Sequence, residues 1–268
     1  MKHRVQWDQF IENHNLLMSF AIGFLTGIFS GLLGIGGGLI LVPLILHCFK
    51  LVQRQAQAIS MAVMVFTGIT AAVAYSLNGA VDYFAALALT AGAIIPTRCG
   101  VLYSHRLADW KLRRAFGFFL IAMSLLLILK PFVPPVSPPF VGWHKGIALL
   151  VIGVFSGSLS GMMGVGGGAV MIPAMVLLVG VSQVVAQGSS LLCIVPTSAL
   201  GAYTHWKLGN IRQTLLPSLL SGILCGVFAG GNLAYQFPEW ILRSAFTMIL
   251  IVRGVLYVQT PPPKHGDD

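Results

Sequence analysis

Charge is what this sequence has least of. Of its 268 residues only 9% are Asp, Glu, Lys or Arg, against roughly 25% in an ordinary soluble domain. Acids are scarcest, seven against sixteen Lys and Arg. So few charges cannot clothe a soluble surface, and an apolar content of 56% excludes a disordered or highly charged scaffold. The four cysteines (Cys48, Cys99, Cys193, Cys225) stand alone without CxxC spacing. They read as small apolar fillers rather than a disulfide or metal framework. Catalytic constellations are missing too: there is no HExxH, no GxSxG and no pair of carboxylates on one face. An intramembrane enzyme would need at least one of these, so neither catalysis nor a cofactor or metal is expected. The net charge of +9 forms no basic patch interleaved with aromatics, so nucleic acid is not an expected partner.

What remains is long uncharged runs. No charged residue lies between Glu12 and Lys50, residues 55–97 hold only Asp82, and residues 146–206 hold none. One crossing of a bilayer core takes about 20 apolar residues, so these runs predict a polytopic α-helical membrane protein. Residues 1–15 are polar, and no small-residue cleavage site ends the first apolar run. A retained first helix is expected rather than a removed signal peptide.

The chain carries one unit twice, at a shift of 130 residues. Gly31-Leu32-Leu33-Gly34-Ile35-Gly36-Gly37-Gly38 matches Gly161-Met162-Met163-Gly164-Val165-Gly166-Gly167-Gly168, and Pro43 falls on Pro173. Without a gap, Gln57 meets Gln187, Ser60 meets Ser190, Thr67 meets Thr197, Gly79 meets Gly209 and Trp110 meets Trp240. Residues 23–121 give 27 identities in 99 positions against residues 153–251. Such a repeat has to be recognised before the fold is read. The organisation expected is an N-terminal membrane repeat over 1–130, a Pro-rich linker over 131–142 and a C-terminal membrane repeat over 143–268.

Each repeat divides into five apolar segments. In the first they are about 16–34, 36–49, 57–77, 83–104 and 114–130. In the second they are about 145–163, 166–180, 187–206, 213–236 and 240–258. The second segment of each half is short and follows the Gly cluster, as a half-helix or re-entrant element would. An odd number of crossings per half would insert the second copy upside down. With ten crossings and the N-terminus inside, Lys2, Arg4, Lys50, Arg54, Arg106, Lys111, Arg113, Arg114, Lys207, Arg212 and Lys264 are cytoplasmic, 11 of the 16 basic residues. Basic residues favour cytoplasmic loops, so two inverted repeats with both termini cytoplasmic are expected. Inverted repeats with matched broken segments are the usual architecture of secondary transporters, whose substrate sits near the midplane between the copies.

A helix starting at Gly37 or Gly38 would aim unpaired N–H groups and its positive end at an anion, and Gly166, Gly167 and Gly168 would do so from the other copy. Gly36, Gly37 and Gly38 are therefore candidate binding residues, with close helix packing through small residues as the alternative. Gln57, Ser60 and Thr67, like Gln187, Ser190 and Thr197, share one helix face. They either line the pathway or join helices to one another. All seven acids (Asp8, Glu12, Asp82, Asp109, Glu239, Asp267, Asp268) lie at segment ends or in loops, so a carboxylate proton relay is not expected and an anionic or neutral substrate is. Arg98 follows Pro96 inside the fourth segment and is a further candidate, although it could snorkel to the basic loop. His47 and His205 lie near segment ends, where interfacial placement is expected.

The doubled Gly-rich motif, Gly31–Gly38 with Pro43 and Gly161–Gly168 with Pro173, resembles the sulfite exporter TauE/SafE-type family of membrane transporters. So does Gln187-Gly188-Ser189-Ser190 through Pro196-Thr197-Ser198-Ala199, then Gly209-Asn210-Ile211. The likeness covers roughly residues 20–258. It implies a carrier of the bacterial plasma (inner) membrane that moves sulfite, organosulfonates or related sulfur-containing anions. Binding roles transfer only to Gly36–Gly38, Gly166–Gly168 and, more weakly, Gln57, Gln187, Ser60 and Ser190. The expected function is a secondary transporter for a small anion, with the bilayer as surroundings and self-association left open. A channel-like anion pore and a non-transporting membrane assembly protein are the competing readings.

Overall fold

The computed structural model describes residues 2–49, 51–104, 109–129, 143–211, 215–234 and 236–259. The linker expected at 131–142 lies outside them. The described residues form helices α1 (Lys2–Leu33), α2 (Gly38–Phe49), α3 (Gln53–Leu77), α4 (Tyr83–Ser104), α5 (Asp109–Leu129), α6 (Trp143–Met163), α7 (Gly168–Ala174), α8 (Gln183–Lys207), α9 (Leu216–Ala234) and α10 (Glu239–Val258). Seven spans within these are long and apolar enough to cross a membrane: Leu16–Leu33, Gln53–Leu77, Tyr83–Ser104, Trp143–Met163, Gln183–Lys207, Leu216–Ala234 and Glu239–Val258. The chain is thus a multi-pass helical membrane protein.

Local chemistry sets the boundaries. Asp82 accepts from the N–H of Ala85 at 2.9 Å and caps α4. Ser182 does the same for α8 through Val185, at 3.4 Å. Each cap satisfies one of the first-turn donors that lack an intrahelical partner. The second copy differs in one element. Helix α7 continues as a π-helical turn over Met175–Val179, whereas α2 stays α-helical to Phe49. Pro43 and Pro173 are equivalent, so proline does not account for the difference.

Helices pair across the halves. On α1, Gly23, Gly27 and Gly31 face Leu219, Ile223 and Val227 of α9, so the two helices advance together and run parallel. On α6, Gly153, Gly157 and Gly161 face Leu89, Ala93 and Thr97 of α4 in the same way. A Cβ on Gly31 would lie 2.5 Å from Val227 O, so these backbones approach as only small residues permit. The central pair is different. Gly68 of α3 meets Val195 and Leu191 of α8, while Gly201 of α8 meets Met61 of α3. Tyr75, near the end of α3, reaches Gln187, near the start of α8. Helices α3 and α8 occupy equivalent places in the two repeats, and they run antiparallel.

His205, near the end of α8, is covered by protein rather than open to its surroundings. It is fully buried, with Nδ1 3.3 Å from the side-chain amide nitrogen of Asn210. It stands at the position equivalent to Tyr75, on a face of α8 turned toward the other helices, and Tyr75 is buried too.

Candidate functional site

The two Gly loops meet at the centre. A Cβ on Gly38 would lie 2.7 Å from Gly164 O, and one on Gly168 would lie 3.1 Å from Gly34 O. Gly36 and Gly166 both rest on Met64 and Ile194, an equivalent pair near the middle of α3 and α8. Gly37 and Gly167 have φ of +85° and +77°, a conformation that side-chain-bearing residues rarely adopt. They turn the chain into α2 and α7, and their carbonyls take the first helical bonds, from Ile40 and Leu41 and from Val170 and Met171. The N–H groups ahead of those, on Gly38 and Leu39 and on Gly168 and Ala169, have no intrahelical acceptor. All six candidate glycines are buried.

Gln57 Nε2 donates to Met162 O at 2.9 Å, and Ser60 Oγ donates to Gly164 O at 3.0 Å. Across the pseudo-axis, Ser190 Oγ lies 3.3 Å from Gly34 O and 2.8 Å from Gln187 O. Gln57 and Ser60 thus hold the glycine-loop region of the opposite half, while the shorter bond of Ser190 is to its own helix. Of the two alternatives raised by their spacing, joining helices is what the donors of Gln57 and Ser60 do. Thr67 donates back to Val63 O at 3.1 Å and Thr197 to Cys193 O at 2.9 Å. Both hydroxyls are thereby spent on their own helices. Arg98 is exposed on α4 beside exposed Cys99, on the side turned away from Thr97 and Gly100, which are buried. The fold does not bring it to the loops.

Tyr75 adds a contact that the sequence reading missed. Its hydroxyl lies 3.0 Å from Gly31 O and 3.2 Å from Gln187 Oε1. One phenol proton serves one acceptor. Turning the Gln187 amide over lets its NH2 donate to the phenol while the phenol donates to Gly31. The same turn gives the otherwise unpartnered Nε2 of Gln187 a bond. Arg253 was overlooked as well: it is a half-buried basic residue inside the α10 span.

The larger omission is on α1 and α6. Thr26, Ser30 and Ser160 are buried, yet their hydroxyls have no protein partner. A buried polar group left so costs about 1–3 kcal/mol. Many other helix hydroxyls bond their own carbonyls, as Thr97 does to Ala93 and Ser156 to Gly153, although Ser198 on α8 is a further buried hydroxyl without a partner. The alignment of the repeats held the signal: Ser30 matches Ser160, Thr26 matches Ser156, and both pairs precede a Gly cluster with i, i+4 spacing. Among the described residues no Lys, Arg, Asp or Glu is fully buried, and no group of three metal-ligating side chains forms.

Around the centre, then, are paired helix starts, neutral hydroxyls and amides, and no buried ionised carboxylate or ammonium. Crossed helices from two copies of one unit enclose them. This is the build of a duplicated helical membrane protein with an internal polar centre. The chain belongs to the sulfite exporter TauE/SafE family, whose sequence model matches residues 13–257. It is similar to the "Probable membrane transporter protein YunE" of Bacillus subtilis (strain 168), 26% identical over 88% of this chain and 96% of that protein. The "Probable membrane transporter protein YdhB" of the same organism is 22% identical over 90% and 99% of the two chains. The "Probable membrane transporter protein MJ0441" of Methanocaldococcus jannaschii is 24% identical over 87% and 92%. Membrane transport is the common denominator of these names.

Proposed function

We propose that this chain is a secondary transporter for a small oxyanion, either sulfite, an organosulfonate or a related sulfur-containing anion. Its substrate is held between the two glycine loops. The observation that carries the reading is the meeting of the α2 and α7 starts inside the protein, with N–H groups that lack an intrahelical acceptor and, among the described residues, no fully buried charged side chain. Helix starts attract anions through those N–H groups and the helix dipole. The antiparallel run of α3 and α8 supports a second copy inverted across the bilayer, with both termini in the cytoplasm. Alternating access then rocks the two halves about a fixed midplane site. The family's sulfite-exporter name and its relatives' transporter names agree with this reading.

The test is uptake of radiolabelled sulfite and of labelled sulfonates by liposomes holding the purified chain. Saturable uptake with counterflow by the unlabelled anion is expected. Absence of flux for every anion would overturn the reading. A rate that never saturates would replace the carrier with a channel.

A further inference from the structure

We infer that Thr26, Ser30 and the start of α2 together form an oxyanion subsite, that the first half holds the anion more tightly than the second, and that the subsite prefers an anion carrying one charge. The inference rests on the anion-transport reading and assigns its site to residues outside the glycine motif.

Thr26 and Ser30 stand one turn apart on α1, on a single face, and are 0% and 1% exposed. That face looks at the turn into α2. A Cβ on Gly37 would lie 3.1 Å from Thr26 Cγ2 and 3.6 Å from Ser30 Oγ. Both hydroxyls are without a partner although each has its own helix carbonyls within reach. Helix α2 has 12 residues, long enough for a terminal dipole, and the N–H groups of Gly38 and Leu39 precede its first intrahelical bond. The buried Ser30 hydroxyl, the Thr26 side chain with its methyl foremost and its hydroxyl unpartnered, and two main-chain N–H groups thus meet at one glycine turn. Side-chain substitution at Gly37 would fill that space.

The second half repeats this arrangement incompletely. Ser160 is buried and unpartnered like Ser30, but Ser156, the counterpart of Thr26, donates to Gly153 O at 3.1 Å. Of these matched hydroxyls, two are unpartnered on α1 and one on α6. The donors are all neutral. The desolvation cost of an ion climbs steeply with its charge, so a singly charged sulfonate suits such a site better than doubly charged sulfate.

The experiment measures binding of methanesulfonate and of sulfate to the full chain in detergent by calorimetry, alongside liposome uptake. A hydrogen bond to a charged ligand is worth enough that losing both hydroxyls should raise Kd at least tenfold. That result is expected for the combined Thr26→Val and Ser30→Ala variant. Thr26→Ser, which keeps the hydroxyl, should stay within about twofold of the parent, and Ser160→Ala within about threefold. Methanesulfonate should bind the parent chain at least tenfold more tightly than sulfate. The inference is overturned if the doubly substituted chain binds as the parent does, if Ser160→Ala weakens binding as much, or if sulfate binds as well as methanesulfonate. Should the doubly substituted chain fail to fold, Ser30→Ala alone against Ser160→Ala, with the methanesulfonate-to-sulfate ratio of the parent, decides in the same way. Binding without uptake would overturn the transport reading and leave the subsite standing. No binding by the parent chain would overturn both.

Discussion

The two halves share a plan although most of their matched side chains differ. In both, a glycine-striped first helix lies along the fourth helix of the other half, and the third helix packs its glutamine and serine against the opposite glycine loop. The differences fall where a transporter has reason to be asymmetric. Thr26 has a spare hydroxyl where Ser156 has none. Tyr75 stands where the other half has His205, and an α-helix runs where the other has a π-turn. Duplication supplies the scaffold twice, and the side chains laid on it have diverged at most positions.

The largest effect should come from the shared part. Gly31→Val and Gly161→Val each drive a side chain into a facing backbone carbonyl that cannot step aside. Each should cost about 3 kcal/mol or more, seen as loss of monodisperse protein on size exclusion. Tolerance of one and not the other would break the equivalence of the two helix pairs. A middle effect is expected at the axis. Tyr75→Phe deprives Gly31 O and Gln187 of a partner and should lower stability by about 1–2 kcal/mol, read as a fall in the thermal midpoint. Ser60→Ala, which frees Gly164 O, should cost about 1 kcal/mol and leave the KM for sulfite within threefold of the parent. A tenfold rise in KM would return Ser60 to the substrate.

The smallest effect belongs to a contact that the repeat does not duplicate, since Arg212 matches Asp82 and Asn15 matches Lys145. Asp82 pairs with Lys145 at 2.6 Å, and its main-chain N–H donates to Ser189 at 2.9 Å. Burial acts to raise the Asp82 carboxyl, but the Lys145 ammonium and the N–H groups of Ala85 and Phe84 outweigh it and hold it below its ordinary 3.8. A depressed carboxylate stabilises the fold above its unfolded pKa, and that contribution is lost as pH falls through the lower folded value. The thermal midpoint should therefore drop as pH falls below about 4, by an amount equivalent to under 1 kcal/mol. Asp82→Asn should lack that component. An unchanged acid profile in the variant would remove the pair from the account.

Much of this fold could be read in the sequence because lipid leaves the chain few choices. Uncharged runs marked the spans, and the proline and glycine repeats marked the broken second segments within a few residues of α2 and α7. What could not be read is which neutral polar groups are already spoken for. Gln57 and Ser60 share a face with Thr67, but spacing does not reveal that all three donors end on carbonyls. Thr26 and Ser30 looked like ordinary helix serines and threonines until the glycine turn was set beside them. That His205 is covered by protein could not be read from its place near a segment end.

The inverted arrangement underlies every step from paired helix starts to alternating access, and side-specific labelling tests it directly. Asn78 and Leu208 are equivalent, exposed positions just after α3 and α8. Each would be changed to Cys in a chain whose own four cysteines have been replaced, then treated in intact cells with a thiol reagent that cannot cross the membrane. The account predicts labelling of the Asn78→Cys chain from outside and of the Leu208→Cys chain only after the membrane is opened. Labelling of both from the same side would contradict it.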